Sequence, residues 1–326
     1  MINARNKLAI YLAFIVILAG KPSLADDLQK VSIGISSNSI AVSAARIAKQ
    51  MGLFEKNKLD ADIKILESAT IATSALIGGS VNFANVNPTD AILTKAKGQD
   101  LVVIRSVYAG FPAVLVVSKS VSDKSGLRDD ATLADKIKAL NGLTIGSVSA
   151  TSSYTVSLKA AAEANNARIN FTYTAQPAMV SALATGAIQG FVASSPFYGQ
   201  PVLAGTGVVW INGPKGEYGQ FGLSNSISLV AMRRFAEQNP DLVKRVDATF
   251  ADLSKAVLER PADVKNAIAK LFPDVDAKAL DLIAQAELES FNGRRLTADD
   301  VQKAIAFLKL GGTDLPEIDP ASVTLP

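Results

Sequence analysis

The sequence predicts an α/β protein of two lobes, each a mostly parallel sheet flanked by helices, followed by a helical C-terminal region. Three observations carry this. Runs of strand length, apolar or alternating, recur between segments of helical spacing. The pattern breaks in a polar stretch at residues 119–132 and then restarts. Beyond Asn239 and Pro240 only helical periodicity is found. Alternating βα units call for a parallel sheet covered by helices on both faces. A chain of 326 residues, 48% apolar, is long enough to bury a core in each lobe.

In the first half, residues 31–36 alternate like a half-buried strand, and Ser36, Ser37, Asn38 and Ser39 offer helix N-caps before a helix over 40–51 that Gly52 ends. Residues 61–66 form a second strand, 71–77 a short helix closed by Gly78 and Gly79, and 81–86 a third strand. Asn87 and Pro88 open another helix, and 101–107 and 113–117 are further strands. After the break, 142–147 reads as a strand, 149–154 as a cap-rich loop and 155–164 as a helix. Residues 169–174, 190–193 and 226–230 are strands, 178–185 a helix, and 213–219 a polar link. Leu242, Val246, Phe250, Leu253 and Val257 then recur at three and four residues as one apolar stripe. Thr297 caps a last helix over 298–310.

Composition removes much of chemistry. The chain has no Cys and no His, which excludes thiol or imidazole nucleophile pairs, an imidazole base, a Cys or His metal site and any disulfide. Residues 1–25 read as a signal peptide: Arg5 and Lys7, an apolar run over 8–20, and small residues at Ser23 and Ala25. Their removal takes three bases and no acid, so the mature chain is formally neutral and nothing in its charge suggests a nucleic-acid partner. The expected location is the periplasm.

Two lobes joined by crossings imply a cleft, the default ligand site of such sheets. The expected boundaries are 26–118 with 219–326 for lobe I and 119–218 for lobe II. No charged residue occurs over 31–45, 68–89, 146–158, 169–214 or 221–232, and every predicted strand-to-helix loop falls in one of these runs. The loops hold Ser36, Ser37, Asn38, Asn87, Thr89, Ser149, Thr151, Ser152, Ser153, Tyr154, Ser194, Ser195 and Asn225 instead. Hydroxyls and amides at helix starts bind without offering an acid or base. Helix N-termini, each with about half a positive charge, attract an anion without Arg or Lys. The same residues also cap helices in any protein. Tyr108, Phe111, Tyr154, Phe197, Tyr198, Trp210 and Tyr218 are candidate apolar walls or plain core, and Arg105 is the one charge at the lobe I strand ends in reach of the cavity, with a salt bridge as its alternative.

Residues 47–59 (IAKQMGLFEKNKL) and 75–84 (ALIGGSVNFA), with 141–146 (NGLTIG) and 182–193 (ALATGAIQGFVA), resemble the substrate-binding proteins of ABC importers in the nitrate, sulfonate, taurine and thiamine-precursor group. The resemblance implies a two-lobed, type II periplasmic binding protein that delivers its ligand to an inner-membrane permease. Carried over, the ligand groups fall on Ser36 to Asn38, Thr70, Asn87, Ser149 to Ser153, Ser194 and Phe197. Family members often carry an acid where this chain reads 190–195 without one, which argues against taurine or an amine. The eukaryotic relatives that build a thiamine pyrimidine use His and Cys, so that activity is excluded.

The expected function is therefore capture of a small organic anion, sulfonate-like or carboxylate-like, by a monomer with no cofactor, no metal and no enzymatic activity. A dehydratase-like periplasmic enzyme on the same fold, or a sensor docking on a receptor, are the alternatives. With no His, binding is expected to be flat between pH 6 and 8. Bulky replacements at Ser149 or Ser194 are expected to abolish binding without unfolding.

Overall fold

The computed structural model describes residues 28–128 and 130–325, so the expected signal peptide lies outside the described residues. The strands are β1 (Gln29–Ile35), β2 (Leu59–Ile65), β3 (Phe83–Val86), β4 (Leu101–Tyr108), β5 (Val114–Ser118), β6 (Thr144–Ser147), β7 (Asn170–Tyr173), β8 (Gly190–Ala193), β9 (Gly207–Asn212) and β10 (Ile227–Met232). They form two five-stranded sheets, ordered β2-β1-β3-β10-β4 and β7-β6-β8-β5-β9. The molecule is thus an α/β protein of two lobes.

In each sheet four strands are parallel and one opposes them: β10 runs antiparallel to β3 and β4, and β5 antiparallel to β8 and β9. The opposing strand is always the one that has just crossed from the other lobe. A short connection leaving the carboxyl end of β4 can only enter the second sheet at the facing end, which reverses the direction of β5. For the same reason β5, read from the sequence with the first lobe, hydrogen-bonds in the second sheet, and the chain changes lobe before residue 114. Both crossings leave an edge strand, β4 or β9, so both lie on one side of the molecule. The edge strands β2 and β7 lie on the other side.

Several elements differ from the sequence reading. The helix expected over 40–51 begins at Ala44, because Ser43 Oγ donates to the Ser39 carbonyl and turns residues 39–43 into a buried loop. The polar stretch expected to be irregular contains a helix, Lys119–Ser125, capped by Ser118 and ended by Gly126 in the left-handed region. It was hidden because none of its residues is buried. β9, the helix Gly199–Leu203 and the helix Arg233–Gln238 were not anticipated. The stripe of the helix Pro240–Glu259 is buried as expected.

Two apolar clusters hold the lobes, and each spans both of them. One joins Ile33, Ile40 and Phe250 to Met179, Phe191 and Tyr198. The other joins Val86 and Val103 to Leu115, Leu158 and Trp210. The two crossings touch at Gly213, whose N–H donates to the Ala113 carbonyl over 3.1 Å. A β-carbon there would lie 2.3 Å from the Phe111 carbonyl oxygen and 2.4 Å from that of Ala113, so only glycine fits. Among the described residues no helix is long and apolar enough to cross a membrane.

Candidate functional site

The carboxyl ends of the parallel strands in both sheets face the crossings, and their loops meet there. The Ile40 N–H, in the loop after β1, donates across the lobes to the Ser195 carbonyl, after β8, over 3.3 Å. In the first loop Ser36 and Ser37 are half-buried and Asn38 is exposed. Ser37 Oγ donates to Ser39 Oγ, and Asn38 Oδ1 accepts from Arg46, whose guanidinium also stacks on Phe272. Among the described residues the Ser36 hydroxyl has no hydrogen-bond partner. Asn87 is half-buried after β3, and its N–H donates to Asp90 over 3.0 Å. Burial pushes the Asp90 carboxyl up to about 6, against the pull of that N–H.

The second lobe contributes the start of the helix Ser153–Ala164, where residues 153 and 154 form the first turn instead of a loop. Ser152 is its cap, accepting from the Thr155 N–H at 3.2 Å. Thr155 Oγ1 donates to Ser147 Oγ and to the Ser149 carbonyl, each at 2.7 Å, so capping consumes Ser152 and fixes the loop. The hydroxyls of Ser149 and Ser153 have no partner among the described residues, and Thr151 is exposed. Tyr154 shares a hydrogen bond with Ser194. Ser194 is 3% exposed, and its N–H and hydroxyl both donate to Gln176 Oε1, at 2.7 and 3.2 Å. Phe197 is half-buried one turn further on.

Phe111 on the first crossing packs edge-on against Tyr154 at 5.8 Å and against Tyr218, on the second crossing, at 5.4 Å. Ser157 Oγ ties the same helix to the Phe221 carbonyl. The corner formed by Tyr154, Ser194, Phe111 and Tyr218 therefore draws on both crossings and on lobe II. A groove of about 1230 Å³ runs along the crossings and the last helix, past Gly110, Gly222 and Phe307, and shares Phe111 and Tyr218 with that corner.

Other candidates are placed elsewhere. Thr70 is exposed in the first turn of the helix Ala69–Ile77, whose cap is Ser68. Arg105 does not reach the cleft: buried, it donates to Asp247 Oδ1 at 3.0 Å and to the Gly293 carbonyl at 2.7 Å. Asn225 is held by Asp300 at 3.1 Å at the end of the second crossing. Tyr108 is fully buried and donates to Glu287.

Glu287 is the residue that the charge map missed. It ends the helix Ala277–Glu287, is 1% exposed, and accepts from Tyr108 at 3.0 Å, Ser195 at 2.8 Å and Tyr198 at 2.7 Å. Those donors come from both lobes. Burial pushes its carboxyl up to about 7, while the three hydroxyls pull the other way. Leu280, Ile283 and Glu287 share one buried face, so an acid on an apolar stripe was the available signal. Through Ser195, a helix some ninety positions away brings a buried carboxyl to the loop after β8. Asn85 is a second surprise. It is fully buried on β3 in register with Ile35 and Leu229, and neither amide atom has a partner.

Comparison with known proteins fits this architecture. Binding proteins of Brucella abortus and Brucella suis are 27% identical over 300 residues, covering 90% of this chain and 85% of theirs. Among solved structures, the alkanesulfonate-binding protein SsuA of Xanthomonas axonopodis bound to MOPS superposes with a TM-score of 0.67 at 20% identity, over 91% of this chain and 98% of that one. The periplasmic aliphatic sulphonate binding protein SsuA of Escherichia coli gives 0.68 at 19%, over 91% and 97%. The periplasmic nitrate-binding protein NrtA of Synechocystis gives 0.56 at 13%, over 81% and 70%. The sequence profile of the NMT1-like family matches residues 25–272, and the chain belongs to that family.

Proposed function

We propose that this protein is the solute-binding component of an ABC importer, capturing a small organic anion between its lobes in the periplasm and presenting it to a membrane permease without chemical change. One observation carries the reading. The loops that meet across the lobes, joined at Ile40 and Ser195, offer unspent hydroxyls at Ser36, Ser149 and Ser153 and no charged side chain. Neutral donors beside a helix start suit an anion's oxygens. The structural neighbours named for sulfonate and nitrate support the same class. Glu287 weighs little toward an enzyme, since its buried carboxyl is already engaged by three hydroxyls.

A thermal-shift screen of alkyl and aryl sulfonates, carboxylates, nitrate and cationic amines tests this. A cognate anion at 100 times its dissociation constant stabilises by about 2.7 kcal/mol. Its affinity falls only modestly between low and physiological salt, because no exposed cation makes the contact. Stabilisation by amines alone overturns the choice of an anion, and turnover of the bound compound overturns the binding role.

A further inference from the structure

We propose that Tyr218 donates its phenolic hydrogen to an oxygen of the captured anion, adding to the site a contact from the second crossing. The inference rests on the anion reading above and deepens it. Tyr218 is 1% exposed, yet its hydroxyl oxygen is buried without a hydrogen-bond partner among the described residues. Such an orphan is uncommon, because a buried O–H that gave up water ordinarily finds an acceptor in the protein.

The surroundings hold the ring but leave the hydroxyl unanswered. Phe111 meets it edge-on at 5.4 Å, and the Gly222 backbone lies against its β-carbon. The phenol is near enough to Tyr154 for the charge of one to bear on the other. Tyr154 in turn engages Ser194, whose hydroxyl is already given to Gln176. One donor in this corner is therefore unused, and it sits beside the helix start and the loop after β8 that the proposed site draws on. Burial raises the Tyr218 pKa, so the group stays a donor across the physiological range. A ring fixed before binding loses little freedom on meeting its acceptor.

The test compares the wild type with Tyr218→Phe, which removes one oxygen and keeps the ring. Ligand-free melting temperatures are measured first. Affinities for MOPS, propane-1-sulfonate, benzoate and nitrate then follow by calorimetry. The expected result is an unchanged or slightly higher ligand-free melting temperature, with at least tenfold weaker binding of whichever probe the wild type takes, about 1.4 kcal/mol. Affinities within twofold overturn the proposal. So does a ligand-free protein that Tyr218→Phe destabilises by several degrees, since the hydroxyl would then already have a partner such as a trapped water. A wild type indifferent to all four probes overturns the anion reading first, a failure distinct from the other two.

Discussion

Ser195 donates its hydroxyl to Glu287 over 2.8 Å, tying the loop after β8 in the second lobe to a helix that follows both lobes in the chain. Tyr108, at the end of β4 in the first lobe, shares the same Glu287 oxygen at 3.0 Å. One carboxyl thus joins the lobes at their junction, and among the described residues no cation pairs with it.

This arrangement predicts an unusual pH dependence of stability. The folded protein holds the Glu287 proton up to about pH 7, whereas an unfolded chain releases it near the ordinary value of 4.5. Between those limits the native state binds more protons, so stability is greatest below the lower value and declines as pH rises to the upper one. The loss is on the order of 3 kcal/mol. Asp90 adds a smaller slope of the same sign up to about pH 6. Glu287→Gln should remove most of the decline between pH 5 and 7.5 in denaturant titrations, and an unchanged slope would sink the assignment. The expectation, from the absence of His, that binding is flat between pH 6 and 8 concerns the solute and is measured separately from this slope in stability.

Ser149 and Ser194 should separate. Ser149 is half-buried and spends only its carbonyl, so Ser149→Leu should keep the melting temperature within a few degrees and abolish solute binding. Ser194 is buried against Gln176, so a bulky residue there unfolds the loop. This revises the expectation that both sites tolerate bulk. Ser194→Ala should cost about 1 kcal/mol for the lost hydroxyl bond, read from chemical denaturation. Retained binding by Ser149→Leu would place the solute elsewhere.

The Arg105–Asp247 pair belongs to the fold. Asp247→Ala leaves a buried guanidinium with the backbone carbonyls of residues 247 and 293 but without its counter-charge, and should cost about 3 to 5 kcal/mol. Arg105→Met should cost less, because Asp247 keeps Arg295 at 3.0 Å. Solute affinity of whatever fraction is folded should not change in either variant. A loss of affinity by calorimetry with Arg105→Met would return Arg105 to the site.

Gly213→Ala tests the contact between crossings. The added methyl meets two carbonyl oxygens that cannot both withdraw, so the crossings must separate. Melting should fall by several degrees, and small-angle scattering should report a more open ligand-free molecule. An unchanged profile would mean that the crossings move independently.

Much of this fold was legible because burial writes periodicity into sequence. The stripe from Leu242 to Val257 and the cap at Thr297 were both readable. β9 was not, since it lies inside the uncharged run 169–214, where no polar alternation marks its ends. At the site, the composition of the loops was readable but their division of labour was not. Whether a serine caps, as Ser152 does, or stays free, as Ser149 does, depends on a third residue, Thr155, folding back on both. Glu287 escaped because the search for charge was confined to strand-to-helix loops, while the acid arrives from a distant helix.

The position of β10 also orders the assembly of the molecule. It lies between β3 and β4, yet it is made only after every strand of the second sheet. As the chain emerges from the ribosome, the second sheet can zip up from residues 114–212 alone. The first must wait with β3 and β4 unjoined, two strand edges exposed to any chaperone or neighbouring chain, until residues 227–232 arrive to close the gap.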